Sequence, residues 1–161
     1  MRYHKYYLYY LIVVSLLMLP LLSFSREIDE DYVIEGAGTG VEGLYLVKVT
    51  LTSKDLSVSD DIFLKYAVHG VLFRGFESQQ HRQHQRAMAE SNQQEEHADF
   101  YEVFFKGDMS PYAEVMEGSR QVRLSGKRYR ISSVIQVYKD KLRHYLEEKG
   151  VINKLTNGFG E

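Results

Sequence analysis

"RQVRLSGKRYRISSVIQVY", residues 120–138, carries the clearest strand pattern in the chain. It divides into two runs at Ser125-Gly126, the small, turn-forming pair a β-hairpin needs. In the longer run Tyr129, Ile131, Ser133, Ile135 and Val137 fall on one face. Arg128, Arg130, Ser132, Val134 and Gln136 fall on the other, which is the period of two of a half-buried strand. A third run, "LYLVKVTLT" at 44–52, has the same signature: Tyr45, Val47, Val49 and Leu51 alternate with Leu46, Lys48, Thr50 and Thr52. Antiparallel pairing follows from the hairpin.

Helical patterns lie between and after these strands. "DIFLKYAVHGVLF", 61–73, is apolar nearly all round, so the helix is expected in the interior. Ser57 or Ser59 can cap it, and Asp60 and Asp61 suit the positive end of its dipole. Gly70 inside it costs about 1 kcal/mol against alanine, so close packing against the sheet is the expected compensation. Gly75 reads as its stop; the alternative is a helix that ends at Gly70, with "VLFRGF" continuing extended. "ADFYEVFFKG", 98–107, places Phe100, Val103 and Phe104 on one helical face, with Gly107 as cap. Ser110-Pro111 opens a further short helix, "PYAEVMEG". "KDKLRHYLEEKG", 139–150, is amphipathic, with Leu142, Tyr145 and Leu146 inward and Gly150 after its end.

The expected fold class is therefore α+β: a small antiparallel sheet of about three strands, in β-α-α-α-β-β-α order, with helices packed on one face. The domain spans 44–155. Residues 77–96 form a polar insertion, rich in glutamine and histidine with little to bury, and 156–161 a tail. Residues 26–43 read as an acidic and glycine-rich leader. Gly38, Gly40 and Gly43 spell the letters of a dinucleotide fingerprint. They run into a strand, where that motif must open a helix, so they carry no nucleotide site.

Residues 1–25 have the layout of a signal peptide. Arg2 and Lys5 precede an uncharged run from Tyr6 to Phe24, and Ser23 and Ser25 offer a small-residue cleavage site. The 19 residues of that run approach the roughly 20 that span a bilayer, so an uncleaved anchor is the rival reading. Tyrosine prefers the interface, and the apolar part, Leu11–Leu22, is short. The chain has no cysteine, which excludes lipoproteins, disulfides and thiolate metal sites. Cleavage leaves 18 Lys plus Arg against 22 Asp plus Glu, a net charge of −4. That balance gives no general attraction for nucleic acid. The expected location is exported, in the periplasm or secreted, with membrane contact only through an uncleaved N-terminal segment.

Candidate chemistry is sparse. His69 is a candidate general base or ligand-gripping donor in a dry site. It has no Asp, Glu or Ser at i±3 or i±4 to orient it, and Lys65 at i−4 opposes its charged form. His81, His84 and His97 lie in or beside the polar segment, short of the rigid ligand set zinc needs. No metal or cofactor is implied, and no serine stands in a nucleophile elbow. Arg120, Arg123, Lys127, Arg128 and Arg130 make the hairpin basic, with Arg123, Arg128 and Arg130 the candidates for a partner, and arginine forks hold carboxylates and phosphates well. The alternative for them is a solvated strand face whose charge protects the sheet edge.

The stretches "YLVKV", "AVHGVLFRGF", "HADFYEVFF", "GKRYRISSVIQV" and "KDKLRHYLEEKGVINKLTNGF" together resemble a group of small exported proteins of unknown function from Bacteroidetes. The polar segment 77–96 departs from that pattern. The resemblance implies export and a shared fold and brings no catalytic residues. The strand-helix-hairpin-helix core is also similar in outline to domains of several cell-envelope assembly proteins, an analogy of fold alone. These readings favour an envelope binding or assembly module without catalysis, whose partner is an envelope protein or an anionic envelope component, bound through Arg123, Arg128 and Arg130. The alternative is a small-molecule or glycan-acting enzyme with His69 in its pocket.

Overall fold

One long strand organises the molecule. In the computed structural model, which describes residues 32–38, 41–77 and 84–154, seven strands and four helices alternate with turns. The strands are β1 (Tyr32–Gly36), β2 (Tyr45–Ser53), β3 (Phe76–Glu77), β4 (His84–Gln85), β5 (Ala113–Val115), β6 (Gln121–Ser125) and β7 (Arg128–Val137). The helices are α1 (Asp60–His69), α2 (Gln93–Glu96), α3 (Ala98–Lys106) and α4 (Lys139–Glu148), and a π-helical turn, Gly70–Arg74, prolongs α1. β7 pairs with all of β2 on one side, Val47 facing Ile135 and Leu51 facing Ile131. On its other side it pairs with β5 near one end and β6 near the other. β1 completes the sheet beyond β2.

The α+β class and the antiparallel sheet follow the sequence reading; the strand count does not. The sheet has five strands rather than three, and β3 and β4 make a separate two-stranded ribbon. β1 lies in the segment read as a leader. β5 occupies "PYAEVMEG", read as a helix; its start is a turn in which the Tyr112 and Ala113 N–H groups both reach the Met109 carbonyl. The proline-led turn leads into three residues that pair with Ile135–Val137. Pairing along β7 outweighs the local helix signal.

Alternation places Val47, Val49, Leu51, Ile131, Ile135 and Val137 on one face, all buried. α1 covers that face across β2, β7 and β5, contributing Phe63, Leu64, Ala67 and Val68. Leu142 and Leu146 of α4 and Tyr101 and Phe104 of α3 complete the same core. Each such side chain contributes about 1.5–3 kcal/mol on burial, so this face holds the fold together. α3 turns Phe100, Tyr101, Phe104 and Phe105 towards the core, while Val103, expected on the inner face, is exposed.

Between β5 and β6, β7 lacks a partner strand, and the chain fills the gap with a side chain. The Met116 N–H bonds the Val134 carbonyl at 2.9 Å. The Ser119 hydroxyl accepts from the Val134 N–H at 3.0 Å and donates to the Met116 carbonyl at 2.6 Å. It also lies 3.0 Å from the Ser133 hydroxyl, which is fully buried. Buried polar groups left unpaired are costly, and Ser119 satisfies two of them.

Part of the polar segment is tied down as well. A π-turn leaves backbone carbonyls out of the normal α-helical ladder, and those of Val71 and Leu72 accept from the N–H groups of Met88 and Ala89. Gly75 ends the turn with φ 68°, and a Cβ there would run into the Gln85 carbonyl. Ala89 and Gln93 are buried.

Candidate functional site

The β6–β7 hairpin gathers the three arginines. Arg123 faces Arg130 directly across the ladder, and Ser125 faces Arg128. By the strand period all three leave the sheet on the side away from the core, and all are exposed. Lys48, Thr50, Val134 and Gln136, on the same side further along the sheet, keep partial exposure, and no described element closes a second layer over it. Like charges opposed across strands repel. No described carboxylate pairs with Arg123, Arg128 or Arg130; the ion pairs of the described residues lie elsewhere.

Arg120 shows what an internally used arginine looks like. Its guanidinium pairs with Asp60, donates to the Val58 carbonyl at 2.9 Å and lies 5.1 Å from the Phe63 ring centroid. It pins the loop before α1, where Ser59 stands at the N-cap without a side-chain bond. Arg123, Arg128 and Arg130 have no such partner among the described residues. Planar guanidinium groups in a row suit carboxylates or phosphates, which they bind in two-pronged fashion.

His69 sits where α1 passes into the π-turn. Its Nδ1 lies 2.6 Å from the Tyr32 hydroxyl on β1, and either imidazole tautomer satisfies that pair. Phe73 and Phe105 pack on its ring, with centroids 5.1 and 5.6 Å away. Arg74 donates to the Tyr32 carbonyl at 3.0 Å and lies over the Tyr32 ring at 4.1 Å. Burial first, and the Arg74 charge second, pull the imidazole pKa down to about 4. The ring is neutral at ordinary pH. Gly70 makes the contact close: a Cβ there would lie 2.5 Å from Ile34 Cδ1 and 3.3 Å from the Tyr32 hydroxyl. His69 and Gly70 together seat β1 on α1.

A shallow groove of about 400 Å³ runs between Val33, Ile34 and Glu35 on one side and Phe76, Glu77 and His84 on the other, and His69 does not line it. His84 is exposed on β4, and His81 lies outside the described residues. Among the described residues no three His, Asp or Glu side chains gather as a metal site would require. None of their helices is long and apolar enough to cross a membrane. Residues 1–25, with the signal-peptide layout, lie outside the described residues.

Two features of the arginine region escape strand-by-strand reading. β6 bonds β7 along one edge only, and all five of its residues are exposed. Val122 and Leu124, on its other face beside Ile131 and Tyr129, are 44% and 71% exposed. Alternation in "QVRLS" was the signal available. What it lacks is any sign that β6 lies at an edge, beyond the reach of the helices.

Comparison with known proteins found no match: no protein family, no curated protein and no solved structure corresponds to this chain.

Proposed function

We propose that the chain is an exported cell-envelope binding module without catalytic activity, and that it takes an anionic partner on the arginine face. The observation that carries this reading is the set of three exposed arginines, Arg123, Arg128 and Arg130, with which no carboxylate of the described residues pairs, on a sheet face that no described element covers. Holding like charges together costs stability, and an external anion relieves that cost. The signal-peptide layout of residues 1–25 and the resemblance to small exported proteins of Bacteroidetes support export. His69 serves as a joint within the fold.

The test begins in cells expressing the tagged full chain. Fractionation and N-terminal sequencing are expected to recover it outside the cytoplasm, beginning near Arg26. Cross-linking in the envelope fraction is expected to capture an acidic component that Arg128→Glu releases and Arg128→Lys largely keeps. Equal capture by wild type and by a variant with Arg123, Arg128 and Arg130 all changed to Glu would sink the binding face. Retention of the chain in the cytoplasm would sink the export reading.

A further inference from the structure

The binding face has an edge, and the edge specifies more than charge. β6 presents three things to one neighbour. Its outer edge carries backbone donors and acceptors without a strand partner among the described residues. Its outward face carries Arg123, with Arg130 and Arg128 on the strand behind. Its other face carries Val122 and Leu124, both well exposed. Edge strands with exposed aliphatic residues are templates for pairing, and strand addition combines main-chain bonds with side-chain specificity.

We propose that β6 receives an extended, acidic segment of a partner protein as a further strand, with glutamate or aspartate alternating with aliphatic residues. This deepens the binding-module reading and rests on it. In a strand laid beside β6, alternate side chains fall on opposite faces. Those on the arginine side meet Arg123 directly. Arg130 and Arg128 stand about 4.8 Å further in, one strand spacing, within reach of their own long stems. The residues in between meet Val122 and Leu124. Five residues of β6 span about 17 Å, so a segment of five to seven residues suffices.

Two other occupants fit less well. A second copy pairing through β6 would set Arg123 and its neighbours against the same arginines, and β6 contributes no carboxylate to answer them. A phosphate polymer would satisfy the arginines but would use neither the backbone edge nor Val122 and Leu124.

The experiment uses the full chain, in detergent if residues 1–25 are retained, and a labelled eight-residue peptide alternating glutamate and valine, read by fluorescence anisotropy. A second peptide has the same sequence with alternate backbone nitrogens methylated. It keeps every side chain and loses the donors of one edge. The expected result is saturable binding of the first peptide, weakened about tenfold or more by Arg123→Glu and to a similar degree by the backbone methylation. Leu124→Thr is expected to weaken it several-fold, with the thermal melt of each variant checked against wild type.

Equal binding of the methylated peptide, or of inorganic polyphosphate, would overturn strand addition while leaving the arginine face intact as an anion site. Failure of both peptides and of polyphosphate, with envelope capture also insensitive to Arg128→Glu, would remove the binding-face reading itself. Sedimentation showing a dimer that Leu124→Thr dissolves would assign the edge to a second copy and overturn the proposal. The methylated peptide is tested on unaltered protein, so a misfolded variant cannot decide the result.

Discussion

The joint between β1 and α1 and the hairpin of β6 and β7 use the same residue types to opposite ends. In the joint, a histidine, a tyrosine and an arginine are closed against one another: His69 meets Tyr32, and Arg74 bonds the Tyr32 backbone and covers its ring. In the hairpin, three arginines face outward with no acidic partner among the described residues. The joint spends its polar groups on stability, because a buried polar group without a partner is costly. The hairpin forgoes that use. The difference locates function better than the chemistry of single residues does, since a histidine attracts more suspicion than an arginine yet here bonds Tyr32 and packs against Phe73 and Phe105.

The largest expected effect tests whether the joint is dry. The His69 pKa is about 4 in the fold against 6.5 for the ordinary residue. Between those values the unfolded chain binds a proton that the folded chain refuses, so stability rises with pH across that window. The contribution is fully present above pH 6.5, is lost as pH falls towards 4, and does not grow further below 4. The shift corresponds to about 3 kcal/mol. Urea melts of wild type and His69→Gln from pH 7 to 4 are expected to diverge by that order, with wild type losing more. Parallel curves would mean a solvated imidazole and would erase the contrast between the two regions.

Two substitutions probe the packed body itself. Gly70→Ala pushes a methyl group into Ile34 and is expected to cost about 1–3 kcal/mol, as read by denaturant midpoint. Ile34→Val removes the atom in the way, Ile34 Cδ1, so the double variant is expected to recover part of the loss. Failure to recover would place the strain elsewhere in the joint. Ser119→Ala is expected to cost about 1–2 kcal/mol, because the Val134 N–H and the Ser133 hydroxyl lose a partner. Ser119→Thr, which keeps the hydroxyl, is the control.

Legibility in the sequence follows the range of the interaction. The hairpin and the two faces of β7 are readable because alternation and a turn pair are local, and so are Leu142 and Leu146 on α4. β1 is not readable: "YVIEG" shows no alternation, and its partner β2 is needed to define it. β5 is three residues behind a proline-led turn that imitates a helix start. The π-turn carries no local sign, and its consequence, the anchoring of Met88 and Ala89, links it to a segment that composition alone marks as solvated. Met88 and Ala89 were the apolar clue there. The candidate site divides in the same way. The shared face of Arg128 and Arg130 is visible from spacing, whereas the pairing of Arg123 with Arg130 needs the register. The partner of His69 lies 37 residues away, far outside the helical neighbours that sequence spacing can search.

The smallest effect on stability carries the most weight for function. Changing Arg123, Arg128 and Arg130 together to Gln removes three exposed charges that make no ion pair with a described residue. Surface substitutions of that kind usually move stability by no more than about 0.5 kcal/mol. Here the relief of repulsion between Arg123 and Arg130 favours a small gain. The paired control is Arg120→Gln, which breaks the contacts to Asp60 and Val58 and is expected to lower the melting temperature while leaving the outward face charged. If the triple variant melts like wild type and loses its partner, while Arg120→Gln melts early and keeps it, stability and binding reside in different arginines of one hairpin region. If the triple variant instead unfolds as readily as Arg120→Gln, the three arginines are structural, and the contrast between a closed joint and an open hairpin fails.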